Sequence, residues 1–550
     1  MFKAIFIHRV QLLKLLCQFH PHCSPPLNKT TTEQTKGQPT KMLETTLLLL
    51  VLVLVCVLWY SRGRHSYWAN KGIPSAPTIP VFGHMHQLFV CKYPWEAMDR
   101  AYKKYGREGL FGRYEMFNPV LIVTDPDILK QIMVKDFDNF TDRRKFGDQP
   151  GSIMTSMLSN MDGEEWKTLR SIMTPTFSSG KMKRMFGLVC TNADSLVASC
   201  LNDAQNNLLV DMKDKCGRFT MDTIASCAFG IEPNSMTDEK PVFAQKADNF
   251  FSMSPYKFAR FIMMFMLPKL FNALGLKVDT ADIDFFRDVV EKTIRSRQQN
   301  DRQRGDFLDL MLNARETNTE EKTTNQDEKL STKSAKHVLT DHTVLAQCIM
   351  FLIAGYDTTA STLAFASQLL ARDVKVQQQL REEIQEMVKE EGELTYQGVM
   401  EAKLLDACIN ETLRMYPPGA LGERKCTRPY KVPGTEVTLM PGDLVQFPIW
   451  SFHRDPHHWT DPETFKPQRF LPDNKANITP FTFMPFGMGP RNCIAMRFAL
   501  MEAKVALAKL LLCVELQVVP GNEHIILDGN TFLLRPKDGQ KIRVTPIKQE

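Results

Sequence analysis

The longest unbroken apolar block lies near the start of the chain. Residues 42–60 read MLETTLLLLVLVLVCVLWY, with Glu44 as the single charge. At ~1.5 Å per residue, a helix of this length nearly matches the hydrocarbon core of a bilayer. Trp59 and Tyr60 stand where an interfacial aromatic pair belongs, and Arg62 and Arg64 follow, which puts the C-terminal side in the cytosol. A buried core helix is the competing reading, but such helices seldom run apolar on every face. Residues 71–83, KGIPSAPTIPVFG, hold three prolines that forbid a continued helix and mark a stiff hinge.

Beyond residue 84 the helical period dominates and no internal repeat occurs. The pattern predicts helices over 164–174, 219–229, 341–372, 373–391, 395–416 and 496–513. Strand-like pieces are short: 111–114, 120–123, 436–439 and 443–447. Residues 317–336 are polar, without apolar period, and read as a surface loop. The expected fold class is mainly α with a small β part, behind a single N-terminal transmembrane helix. The expected organisation is an extension (1–41), an anchor (42–60), a basic and Pro-rich hinge (61–83) and one large catalytic domain (84–550).

Composition narrows this picture. The chain has 550 residues, 43% of them hydrophobic, and a net charge of +6. Residues 1–41 carry six basic side chains against Glu33 alone, so the rest is nearly neutral. No basic stripe interleaves with aromatics, which argues against a nucleic-acid partner. Lys3, Arg9 and Lys14 among apolar residues loosely resemble a mitochondrial presequence; the plainer expectation is that Met42 is the working start. The 13 cysteines include no CxxC pair, so neither a disulfide framework nor a zinc ribbon is expected. His84, His86, His457 and His458 lack partner cysteines at zinc spacing and read as surface or loop residues.

Two stretches carry candidate chemistry. In PFGMGPRNCIAM (485–496), Gly487 and Gly489 let a loop turn and approach a flat group closely. Arg491 stands two residues before Cys493, and the 496–513 helix begins just after it. Both features favour a thiolate, the form that ligates metal. A ferric haem accepts such a ligand, whereas the bland alternative is a buried cysteine in a turn. In AGYDTT (354–359), Gly355, Asp357 and two threonines interrupt an otherwise apolar helix. A threonine hydroxyl satisfied by the carbonyl four residues back is the ordinary reading there.

The run from Phe486 to Ala495 resembles the haem-binding loop of the cytochrome P-450 superfamily, FxxGxRxCxG, with Ala495 in place of the last glycine. The continuation MRFALMEAKVALAKLL is similar to the vertebrate drug-metabolising branch and its invertebrate relatives. Glu411 and Arg414 match the family's ExxR pair, Arg469 its PxRF arginine, and Trp166 and Arg170 its WxxxR element. The resemblance implies the P-450 fold, haem b, and Cys493 as the axial metal ligand. It implies Phe486 beside the haem, and Trp166, Arg170, Arg424 and Arg491 as propionate partners. Glu411, Arg414 and Arg469 become a buried scaffold. Asp357 and Thr358 match the oxygen-activation motif, whose acid and threonine relay protons to bound dioxygen.

The implied activity is a monooxygenase that inserts one oxygen atom from O2 into a hydrophobic small molecule of xenobiotic, steroid or fatty-acid-like kind. Electrons would come from an NADPH-dependent flavoprotein reductase, with cytochrome b5 as an optional second donor. Lys167, Lys425, Arg428 and Arg497 are candidate docking residues. The substrate pocket is expected along 143–158, Phe351, Ala354, Ala420, Leu421 and 531–533, under a lip at 250–270 rich in Phe and Met. The expected location is the endoplasmic reticulum membrane, with a mitochondrial alternative if 1–41 acts as a presequence. The competing activities are a haem-thiolate isomerase of peroxides and a catalytically silent haem-binding protein.

Overall fold

A computed structural model of the chain describes residues 38–93, 95–145, 149–300, 304–320, 339–537 and 541–547. The chain divides into two units, Met1–Trp59 and Tyr60–Glu550. The first helix, Gln38–His65, outruns the expected anchor at both ends; residues 43–65 are long and apolar enough to cross a membrane, and none of residues 43–60 is buried. Most of the 1–41 extension lies outside the described residues.

The second unit is mainly helical around one long helix, Asp341–Arg372, called here the central helix. It packs most extensively against the helix Met212–Phe229, and next among the long helices against Met496–Cys513, the cysteine helix. Thr340 caps the start of the central helix by accepting from the Thr343 N–H, which satisfies one of its orphan donors. Asp373 caps the following helix, Val374–Glu391, in the same way, so it stands just outside that helix.

The main sheet has four strands in the order Leu110–Glu115, Asn118–Val123, Leu444–Phe447 and Gly422–Lys425. The neighbours pair antiparallel, parallel and antiparallel. The proline-bearing segment 61–83 lies on this sheet. Trp68 is buried against Gly112, where a Cβ would come 2.2 Å from the indole ring. The Val81 N–H donates to the buried Ser61 hydroxyl.

Three expectations need correction. The stretch 395–416 is two helices, Tyr396–Glu401 and Lys403–Met415, broken at Ala402. Glu383, from the preceding long helix, accepts the Leu404 and Leu405 N–H groups at 2.8 and 2.9 Å. That remote cap gives the second helix its own start. Residues 317–320 extend the helix Phe307–Glu320, and the rest of the expected loop lies outside the described residues. His84 is buried rather than at the surface. It accepts the Tyr114 N–H at Nδ1, and Nε2 lies 3.1 Å from the Ala76 carbonyl. Burial, with Arg113 nearby, pushes its pKa down to about 4.

Candidate haem-thiolate site

The cysteine loop is held from beneath by a buried polar scaffold. Glu411 and Arg414 are completely buried, and two charge-assisted bonds of 2.7 and 2.9 Å join them. Arg469 Nε and the Lys466 N–H also donate to Glu411, at 3.3 and 2.9 Å. Arg414 also donates to the His453 and Pro462 carbonyls.

His453 carries the connection onward. Its Nε2 accepts the Met484 N–H at 2.9 Å, so its proton sits on Nδ1, which donates to the Arg414 carbonyl at 3.1 Å. Burial, and then Arg414, push its pKa down to about 3, which keeps it neutral. A chain of bonds thus runs from the ExxR pair through His453 to Met484, the residue just before the loop. Sequence reading missed His453, because nothing local marks a histidine whose partners lie 31 and 39 positions away.

The loop itself turns on glycine. Gly487 and Gly489 have φ of +69° and +71°. A Cβ on Gly489 would stand 1.9 Å from the Met133 carbonyl oxygen, so no other residue fits. The Cys493 N–H donates to the Phe486 carbonyl at 2.8 Å, closing the turn just ahead of the cysteine helix. The Cys493 side chain keeps accessible surface. Desolvation raises its pKa, opposed by the Ala495 N–H and by Arg170 and Arg143. The supporting charge therefore comes from Arg170 and Arg143, not from Arg491 as the sequence suggested. The Arg491 guanidinium turns away, to the Thr141, Ser159 and Met161 carbonyls.

Four arginines converge on this loop. Arg143 donates to the Arg491 carbonyl at 3.0 Å, and Arg170 to the Asn492 carbonyl and side chain at 2.9 and 2.8 Å. Arg424 reaches the Glu423 carbonyl at 2.8 Å. Trp166 is buried, with the Arg491 and Arg170 guanidinium carbons 4.8 and 5.8 Å from its ring centroid. Among the described residues none of the four arginines has a carboxylate partner. Burial, with Arg143 and Arg491 beside it, drives the Arg424 pKa well below its ordinary value, and burial pushes Arg491 down to about 9. The Nε atoms of Arg424 and Arg491 are buried without an acceptor. Uncompensated buried cations are costly, so the cluster fits a group bearing carboxylates. Arg143 was not foreseen: in the run Asp142-Arg143-Arg144 its neighbour Arg144 pairs with Glu115 and Glu423 instead.

Above lies a cleft between the central helix, the helix Lys403–Met415, Phe486 and the cysteine helix. Thr358, Thr362, Ile409, Leu413 and Ala499 line it. Thr358 donates to the Ala354 carbonyl at 2.9 Å, and Ala354 is exposed. Asp357 faces elsewhere. It is fully buried, 2.7 Å from Lys213 Nζ and 3.9 Å from Arg535 Nη1. Gly355 packs against Ile224, where a Cβ would have 3.0 Å. Phe351 packs in the core between Phe307 and Phe177 rather than at the cleft. Of the docking candidates, Lys167 pairs with Asp138 and Glu164, and Lys425 with Asp162.

A mainly helical domain with a glycine-turned cysteine loop ringed by unneutralised arginines defines a haem-thiolate protein. The family model "Cytochrome P450" matches residues 73–543. The chain is 37% identical over 472 residues to Cytochrome P450 3A9 of Rattus norvegicus, covering 85% of this chain and 90% of that protein. It is 35% identical over 507 residues to Cytochrome P450 3A41 of Mus musculus, covering 91% and 96%. It is 35% identical over 494 residues to Cytochrome P450 9e2 of Blattella germanica, covering 86% and 92%. The chain belongs to the cytochrome P450 family. It is a P450 monooxygenase, a class that binds haem b through a cysteine thiolate.

Proposed function

We propose that this chain oxygenates hydrophobic small molecules at the endoplasmic reticulum membrane, with Cys493 as the haem ligand. The observation that carries the reading is the Cys493 loop with Arg143, Arg170, Arg424 and Arg491 around it, none of them paired with a carboxylate among the described residues. In this reading Phe486 packs beside the haem and Trp166 backs the propionate arginines. Residues 42–60 are the anchor, 61–83 join it to the body, and 84–550 form the catalytic domain on the cytosolic side. Bound haem supplies an iron centre that activates O2, and its thiolate ligand favours O–O cleavage.

The chain's own groups manage protons and substrate. Thr358 presents its hydroxyl at the cleft and accepts a proton-bearing partner there, while its own hydrogen rests on the Ala354 carbonyl. Asp357 relays protons by leaving its pair with Lys213, taking a proton from water as the carboxylate and passing it on toward the cleft. Apolar side chains at the helix Pro255–Met266, which has no buried residue, together with exposed Phe89, Val90 and Tyr256, support a lipid-facing lip. Such a lip admits substrates that partition into the bilayer. Electrons come from an NADPH-dependent flavoprotein reductase, with cytochrome b5 as an optional second donor.

The test is turnover of a hydrophobic substrate panel by the full chain in membranes with added reductase. Product that requires NADPH, reductase and O2 supports the reading. Peroxide isomerisation without NADPH, or no product from any substrate, would overturn it. Thr358→Ala should raise peroxide release per NADPH; unchanged coupling would remove Thr358 from its role.

A further inference from the structure

Gln347 lies on the central helix with no exposed surface, and both ends of its amide are engaged. Oε1 accepts the Leu158 N–H at 2.8 Å. Nε2 donates to the Ser156 carbonyl at 2.7 Å and to the Thr343 carbonyl at 3.1 Å. Two of these bonds leave the helix and grip the backbone on either side of Met157. A buried backbone N–H or carbonyl is costly without a partner, so one side chain that supplies both holds the segment firmly. Gln347, Ala354 and Thr358 stand at i, i+7 and i+11, so they share the helix face that lines the cleft.

The same segment has a second grip. From the cysteine loop, Arg491 donates through Nη2 to the Ser159 and Met161 carbonyls. Between the two grips the chain turns back on itself, with the Asn160 and Met161 N–H groups donating to the Met157 carbonyl at 2.8 and 3.1 Å. Residues 156–161 therefore form a strap, tied at one end to the central helix and at the other to the cysteine loop. Arg491 links this strap to the arginine cluster. Its Nη atoms hold backbone carbonyls, while its Nε is buried without an acceptor.

We propose that the strap closes the carboxylate edge of the haem site, and that Gln347 is a positioning residue whose latch on it sets how fast haem enters and leaves. This rests on the reading of the arginine cluster as the seat of the haem carboxylates. With the latch closed, the strap fixes the Arg491 guanidinium and so the direction of its free Nε. With the latch broken, the Leu158 N–H and the Ser156 carbonyl turn to water, the strap lifts, and Arg491 loses its fixed place.

Transfer of haem from the ferric full chain to apo-myoglobin tests this. Gln347→Met keeps the length of the side chain and removes all three bonds. Gln377 provides a matched comparison beyond the far end of the cysteine helix. It is 1% exposed and grips the Leu516 N–H, the Leu516 carbonyl and the Leu370 carbonyl at 2.9, 2.9 and 3.0 Å. Gln347→Met should speed haem transfer about 10-fold or more, the effect of losing two bonds to buried backbone. Gln377→Met should leave the rate near wild type at a similar fall in urea midpoint. The propionate bending band in the resonance Raman spectrum should shift in Gln347→Met alone. Transfer no faster in Gln347→Met than in Gln377→Met would overturn the proposal, and so would faster transfer with that band unmoved. Should Gln347→Met not fold, hydrogen exchange in the wild type decides: amides of 156–161 should be better protected with haem bound than without, and equal exchange would overturn the proposal. A wild type without a thiolate-type reduced carbon monoxide spectrum would instead sink the haem reading beneath it.

Discussion

Lys213→Met removes the partner of the most deeply buried acid in the oxygen-side motif. Asp357 is fully buried and Lys213 only 6% exposed. Removing one member of such a pair costs about 3–5 kcal/mol, because a buried charge is left alone. Arg535 moderates the loss from 3.9 Å. At an effective dielectric of about 20, attraction at that distance is roughly two-thirds of that at 2.7 Å. Arg535 is already shared with Asp248 and Asp528, so it cannot replace Lys213 fully. The expected cost is therefore about 3 kcal/mol, the lower end of the range. With a urea slope of about 3 kcal/mol per molar, the midpoint of the haem-loaded protein should fall by about 1 M.

The pH dependence has a definite sign. Burial alone would lower the Lys213 pKa, but Asp357 more than offsets it, and the net shift is upward from 10.5. A raised lysine contributes stability that is fully present below the unfolded value and is lost as pH rises through the folded one. The cost of Lys213→Met should thus be constant from pH 6 to pH 9. Combining it with Asp357→Asn should give a coupling energy of about 1–3 kcal/mol. A cost below about 0.5 kcal/mol, or strict additivity, would show that the two side chains are not a buried pair.

Arg170→Leu should relieve repulsion within the arginine cluster and yet speed haem loss about 10- to 100-fold, since charge-assisted bonds contribute about 1.5–3 kcal/mol each; transfer of haem to an apo-globin scavenger measures it. Gly489→Ala should leave little haem-loaded protein on purification, because its Cβ would stand 1.9 Å from a backbone oxygen at a φ of +71°; a normal haem-to-protein absorbance ratio would contradict the loop geometry. Glu502→Gln should flatten a pH trend. The folded acid holds its proton above the unfolded value of 4.5, so wild-type stability falls by about 1.4 kcal/mol per pH unit from there up to the raised folded value. Urea midpoints at pH 5.5 and 7.5 read it, and equal slopes in both proteins would mean that Glu502 is ionised.

Elements whose causes are local were legible in the sequence. The central helix begins at Asp341 because Thr340 caps it, and the cysteine helix runs from Met496 to Cys513 as its apolar period indicates. Causes that lie far along the chain were not. The break at Ala402 depends on Glu383, and the loop's support on His453, neither of which announces itself in a linear pattern. The cysteine's arginines divided in the same way: Arg170 sits on a readable WxxxR helix, whereas Arg143 and Arg144 are adjacent and go to opposite partners. Consecutive residues on a helix point about 100° apart, which is why Thr358 lines the cleft while its neighbour Asp357 turns to Lys213.

The visible spectrum of the purified protein, reduced with dithionite under carbon monoxide, tests Cys493 as the haem ligand most directly. A strongly red-shifted Soret band in wild type, lost in Cys493→Ser, is the expected result and means a thiolate opposite the carbon monoxide. A band at the shorter wavelength typical of imidazole ligation, or one that survives Cys493→Ser unchanged, would contradict it.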